Sequence, residues 1–102
     1  MAIKDYDRAW KLIKSVGWCR GKYRRDALGR MCSNPEDACS FCTLGALKAI
    51  YGQGEPYRLK VHDVQNKLLE KIGKSFFNIV EWNDDKKRTK EEVVAVLKEL
   101  DI

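Results

Sequence analysis

Between Ala38 and Tyr51 the sequence carries a single charged residue, Lys48. In a chain with 34% charged residues, a helix so poor in charge has to be buried on most sides, and the rest of the fold must be arranged around it. Ala38, Phe41, Cys42, Gly45, Ala46, Ala49 and Ile50 recur at helical spacing and are mostly small, so a neighbouring helix can approach closely. The start signal just upstream is the clearest in the chain. Asn34 can cap, Pro35 suits the first helical position, and Glu36 and Asp37 favour the positive end of the helix dipole. The pattern predicts a central helix from this cap to about Tyr51, ended by Gly52.

Three further helices follow from periodicity. Tyr6, Trp10, Ile13 and Val16 mark one over roughly Asp5 to Val16, with Asp5 as cap and Gly17 as stop. Gly52-Gln53-Gly54-Glu55-Pro56 is a turn signal, after which Val61, Val64, Leu68 and Ile72 give a third helix ending at Gly73. The segment Phe76 to Trp82 is too short to assign by period; one or two helical turns are favoured over a strand. A last helix starts at Thr89, which forms a capping-box pattern with Glu92 and precedes Val93, Leu97 and Leu100. The expected fold is mainly α, a single small domain over residues 1–102 with about four helices. A chain of 102 residues has room for one core. No stretch approaches the roughly 20 apolar residues of a membrane span and the first residues lack an apolar leader, so a cytoplasmic location away from membranes is expected.

Between the first two helices, Trp18 to Ser33 has no period. It reads as a long basic loop, with a short hairpin turning at Leu28-Gly29 as the alternative. Arg20, Lys22, Arg24, Arg25 and Arg30 fall within it, interleaved with Trp18 and Tyr23. Guanidinium groups make paired contacts to phosphate and aromatic rings stack on unpaired bases, a combination used to hold single-stranded nucleic acid. A second cluster, Lys86-Lys87-Arg88 with Lys90, precedes the last helix. On one face the two clusters would form a basic stripe. The net charge of only +5 (20 basic less 15 acidic residues) equally allows two solvated loops.

Cys19, Cys32, Cys39 and Cys42 are expected to be reduced, with burial as small apolar side chains the default. Cys39 and Cys42, three apart in the predicted central helix, would share a face and offer two ligands to a metal, but Cys19, Cys32 and His62 follow no finger or ribbon spacing that would complete the set. A metal-stabilised interaction module is therefore one alternative. Cys42 alone, in the early turns of a helix whose dipole favours thiolate, is a candidate nucleophile with His62, the single imidazole, as its base. Trp82-Asn83-Asp84-Asp85 reads as turn chemistry in front of a helix, or as a polar pocket beside an aromatic wall.

The order Trp18, Gly21, Asp26, Gly29, Ala38, Cys42-Thr43-Leu44-Gly45-Ala46-Leu47, Trp82-Asn83-Asp84 and Thr89 with Val93 and Leu97 resembles a family of small bacterial and phage proteins whose domain has no known function. In that family an aromatic precedes the cysteine; here it is Phe41. The resemblance implies that Cys42, Asp26, Asn83 and Asp84 share one neighbourhood, and it implies no activity. The expected function is a non-enzymatic binding or accessory protein without a cofactor, contacting nucleic acid or another acidic partner. Arg20, Lys22, Arg24 and Arg25 would bind phosphate, Trp18 and Tyr23 would stack, and Asp26, Asn83 and Asp84 would complete the site. A Cys42-dependent enzyme is the alternative from a different class.

Overall fold

The amphipathic stretches become five α-helices in the structure, a computed structural model that describes residues 3–52, 57–73 and 78–102. They are α1 (Ala9–Val16), α2 (Thr43–Tyr51), α3 (Tyr57–Ile72), α4 (Ile79–Asp84) and α5 (Lys90–Leu100). Two short strands, β1 (Arg24–Arg25) and β2 (Ser40–Phe41), pair antiparallel between α1 and α2. Of the expected turn at Gly52 to Pro56, residues 53–56 lie outside the described residues, as do Phe76 and Phe77. No helix among the described residues is long and apolar enough to cross a membrane.

The first helix is shorter than its apolar stripe suggests. Asp5 belongs to a separate 3-10 turn, Ile3–Asp5, so it does not cap α1, and Arg8 at the N-cap makes no side-chain cap bond. Ala9, Leu12 and Ile13 are fully buried, whereas Trp10 and Val16 are half-buried, which rotates the core-facing stripe away from the one expected. This face packs on α5 and α2, where Leu47, Val93, Leu97 and Ile102 complete the same core.

The central helix is the main correction. Asn34 does cap, its side chain accepting from the Glu36 amide, but the turn it starts is only a 3-10 turn over Pro35–Asp37. The chain then runs extended through Ala38. Neighbouring segments take the backbone groups that a helix would have used. The Cys39 amide donates to the Arg25 carbonyl (2.7 Å), the Phe41 amide to Gly17 (3.0 Å) and the Cys42 amide to Tyr23 (2.9 Å), while Phe41 accepts from Cys19 (3.0 Å). With its amides satisfied this way, the stretch gains nothing from helical bonds. The helix begins only at Thr43, after Cys42, whose Sγ accepts from the Gly45 amide at 3.2 Å and so replaces the usual oxygen cap.

The loop expected between α1 and α2 is largely folded. β1 pairs with β2 in the register Arg24 to Phe41 and Arg25 to Ser40, and an antiparallel bridge from Arg25 to Met31 closes a hairpin around Asp26 to Arg30. Its turn lies where the sequence allowed one, with Gly29 in the left-handed region at φ 79°. The shorter helices match expectation better. Asn78 caps α4 by accepting from the Glu81 amide, so the helical reading of this segment holds from Ile79. Thr89 caps α5 by accepting from the Glu92 amide, but the Glu92 carboxylate pairs with Arg88 at 2.8 Å. Val61, Val64 and Leu68 bury the inner face of α3.

Gly45 fixes where the loop crosses α2. A Cβ at this position would overlap the Tyr23 carbonyl, a backbone atom that cannot swing aside. Gly45→Ala is expected to destabilise the fold by about 2–3 kcal/mol, a drop of roughly 10 °C or more in Tm, measured by thermal unfolding with circular dichroism. An unchanged Tm would show that the loop does not cross α2 at this point.

Candidate functional site

Thr43 and Asn83 are the two fully buried polar side chains among the described residues, and they bond to each other. Asn83, the last residue but one of α4, has donors on one side. Its Oδ1 accepts from the Trp18 indole Nε1 (2.6 Å), the Thr43 amide (2.8 Å) and the Thr43 hydroxyl (2.6 Å). On the other side, Nδ2 donates to the Cys19 carbonyl (3.1 Å) and to Asp84 Oδ1 (3.0 Å). Turning the amide over would set its NH2 against an indole N–H and a backbone N–H, and its oxygen against a carbonyl and a carboxylate. One orientation alone satisfies the surroundings. This side chain thereby joins α4 to the segment after α1 and to the first residue of α2.

Asp84 extends the network to the loop. Its Oδ1 also accepts from the Gly21 amide at 3.1 Å, so the turn at Gly21, with φ 80°, is anchored on α4. Beside it a cleft of about 320 Å³ opens, lined by Lys22, Tyr23, Met31, Cys42, Val80 and Asp84 together with Gly21. Cys42 is only 3% exposed, and burial pushes its thiol up to about 11 despite the Gly45 and Leu44 amides that favour thiolate. Desolvation therefore outweighs the helix terminus, and the thiol stays protonated at neutral pH. Cys19 is shifted upward for the same reason.

The basic residues divide into two kinds. Arg20 stacks on Trp18, its guanidinium 4.9 Å from the ring centroid, and its Nη2 donates to the carbonyls of Lys86 (3.2 Å) and Arg88. Arg25 donates to the carbonyls of Gly29 and Arg20, both at 2.7 Å, and Arg24 to that of Ser33. Arg88 lies over Trp82 at 4.3 Å and donates to the Trp82 carbonyl. These guanidinium groups hold loops in place. A carbonyl carries no net charge, so the positive charge of Arg20, Arg24 and Arg25 persists, whereas Arg88 is paired with the Glu92 carboxylate at 2.8 Å. Lys22, Lys86 and Lys87 are exposed at the same seam. Among the described residues no carboxylate forms an ion pair with Arg20, Lys22, Arg24, Arg25, Lys86 or Lys87, while Arg30 pairs with Asp26 at 3.3 Å.

A family model described as a family of unknown function (DUF6197) matches residues 2–100. The chain belongs to this family. No curated protein and no solved structure matches it. The membership covers nearly the whole chain, so the Asn83 network, the cleft and the seam all lie within the DUF6197 region.

Of the residues singled out from the sequence, Trp18, Asn83, Asp84 and Cys42 do come together, with Lys22 and Tyr23 at the cleft and Arg20 bridging to the second cluster. Asp26 does not join them. Its carboxylate closes the hairpin, accepting from the amides of Arg30 (3.0 Å) and Leu28 (2.9 Å), contacts that hold its pKa below the usual carboxylate range. Trp18 is half-buried, with its ring under Arg20 and its N–H on Asn83, so it braces the site, while Tyr23 is the exposed aromatic. Cys39 and Cys42 do not share a helix face as expected, because Cys39 is exposed ahead of β2 and Cys42 is the buried cap of α2. Among the described residues no three His, Cys, Asp or Glu side chains gather where they could hold a metal ion. His62 is exposed on α3. Met31 and Val80 carry no signal in the sequence, since each reads as ordinary loop or helix filler, and Thr43 is marked only as part of the Cys42 to Leu47 run, with no role of its own.

The Asn83 network gives a sharp expectation. Asn83→Asp sets a carboxylate against the Cys19 carbonyl and Asp84, and is expected to cost about 3 kcal/mol or more in urea unfolding. Asn83→Leu, which strands the Trp18 and Thr43 donors, should cost a similar amount. A midpoint within error of the parent for both variants would contradict the network.

Proposed function

We propose that this chain is a non-enzymatic binding module whose seam of lysine and arginine side chains contacts the phosphates of nucleic acid. The observation that carries the reading is Arg20 donating to the carbonyls of Lys86 and Arg88, which joins the loop cluster to the cluster before α5. Arg20, Lys22, Lys86 and Lys87, none in an ion pair among the described residues, form a basic strip beside the Arg88–Glu92 pair and the acidic residues Glu81, Asp84 and Asp85, and unpaired basic charge gathered in this way is the electrostatic footprint expected of a phosphate-binding surface. Lys22, Lys86 and Lys87 supply exposed ammonium groups for direct contact, and the guanidinium groups of Arg20, Arg24 and Arg25 add to the field while fixing the loop. The alternative of a Cys42-dependent enzyme has weaker support. Thiol catalysis needs a thiolate and a base within hydrogen-bond reach, whereas burial keeps Cys42 protonated and His62 lies on the exposed surface of α3.

The test is affinity for labelled single- and double-stranded oligonucleotides as salt is raised from about 50 mM, where each neutralised phosphate contributes roughly 0.7 to 0.9 to the slope of log K against log salt. Binding that weakens steeply is expected, with the slope falling by about 1–2 in Lys86→Ala/Lys87→Ala at unchanged Tm. Binding that ignores salt, or none at low salt, would overturn the nucleic-acid reading and direct attention to an acidic protein partner.

A further inference from the structure

The cleft beside the seam has a chemistry of its own. Tyr23, Met31 and Val80 give it apolar walls, Asp84 places a carboxylate in it, and Lys22 stands both in its lining and on the basic seam. Its volume of about 320 Å³ is at the lower end of the roughly 300–1,000 Å³ range of small-molecule sites, suited to one flat ring system. Two of the walls are exposed side chains: Tyr23, 44% exposed with the Lys48 ammonium 4.9 Å from its ring centroid, and Met31, 59% exposed, on the hairpin next to a further exposed apolar residue, Leu28. Burial of such side chains against a ligand is favourable in a way that their solvation is not.

The charges in the cleft are arranged for a ligand with unlike ends. The carboxylate of Asp84 is held by the Gly21 amide and by Asn83 Nδ2, so it is fixed in place before any ligand arrives. A fixed carboxylate in an apolar cleft accepts from N–H groups. A lysine at the rim, continuous with the Lys86 and Lys87 strip through the Arg20 bridge, receives an anion. An apolar ring with N–H donors on its edge, linked to phosphate, is a nucleotide unit. We propose that the cleft receives an unpaired base of a single nucleic-acid strand, with Tyr23, Met31 and Val80 against the base, Asp84 accepting from its N–H edge and Lys22 on the adjoining phosphate. This inference rests on the nucleic-acid reading of the seam and deepens it, since it makes the ligand a single strand. Bases within a duplex are stacked and paired and cannot enter, whereas an unpaired base can leave the strand and stack on an aromatic side chain.

The experiment uses the full chain, with fluorescence anisotropy on three probes at one low salt concentration: a labelled single-stranded DNA octanucleotide, the same sugar-phosphate octamer without bases, and the duplex of the same sequence. The base-bearing single strand is expected to bind about tenfold or more tighter than the abasic one, in keeping with stacking of one base. Tyr23→Ala and, separately, Met31→Ala should remove most of that difference while leaving abasic affinity and its salt slope unchanged. Both side chains are exposed, so neither variant threatens the fold, and thermal unfolding verifies this. Equal affinity for the base-bearing and abasic strands overturns the cleft inference and leaves the phosphate contact standing. A duplex whose affinity falls as much as the single strand's on Tyr23→Ala likewise overturns it. Absence of binding to all three probes overturns both readings together.

Discussion

The side chain of Asn83 faces donors on one side and acceptors on the other, and its partners come from separate segments of the chain: Trp18 and Cys19 after α1, and Thr43 at the start of α2. An amide is the one side-chain group that presents an acceptor and two donors in a single plane. A buried polar group left unpaired costs about 1–3 kcal/mol, so this residue is either fully satisfied or strongly destabilising. Being satisfied, it fixes the approach of α4 to the loop, and its neighbour Asp84 then captures the Gly21 amide. The loop is thus fastened at Trp18, Cys19 and Gly21 before any surface interaction is considered. Gly45 gives the same loop its closest passage over α2.

That fastening decides how the charge is displayed. Because Trp18 and Gly21 are tied to α4, Arg20 between them is carried to the turn that follows the same helix, where it meets the Lys86 and Arg88 carbonyls. Two basic clusters more than fifty positions apart in sequence become one surface, with the cleft of Lys22, Tyr23 and Asp84 adjoining it. The stacking of Arg20 on Trp18 and of Arg88 on Trp82 reinforces this, each cation over an indole ring whose far side faces the fold. Core packing, a buried amide and surface electrostatics are consequently linked through a few residues.

Periodic apolar positions locate α3 and α5, which lie where Val61, Val64 and Leu68 and Thr89 with Val93 and Leu97 put them, whereas the segment that becomes α4 is too short to show a period, and helical turns there are only favoured over a strand. The segment from Asn34 to Cys42 misled because its local signals are genuine and act over a shorter span. Asn34 and Pro35 do start a turn, but β-pairing with residues 17–25 claims the following amides, and no local pattern encodes a partner so distant. The start of α2 was hidden for a chemical reason, since its cap is a thiol and not one of the oxygen side chains that mark helix starts. Burial of the small residues Ala38, Cys42, Gly45, Ala46 and Ala49 was legible even where helix was not, because strand and helix alike turn them inward here. In the site, Asn83 and Asp84 stood out as short polar residues before a helix. That one is a buried junction and the other an anchor for Gly21 depends on contacts across more than sixty positions, which spacing cannot show.

The Asn83 junction, held as firmly as the core, presets the basic surface. Native-state hydrogen exchange by NMR tests it directly through the Trp18 indole N–H and the Thr43 amide, the two N–H groups that donate to Asn83 Oδ1. Both are expected to exchange only with global unfolding, with protection matching that of core amides such as Leu12 and Leu97. Exchange of the Trp18 indole proton by a local opening far cheaper than global unfolding would contradict it, since the loop would then be free to separate the two clusters.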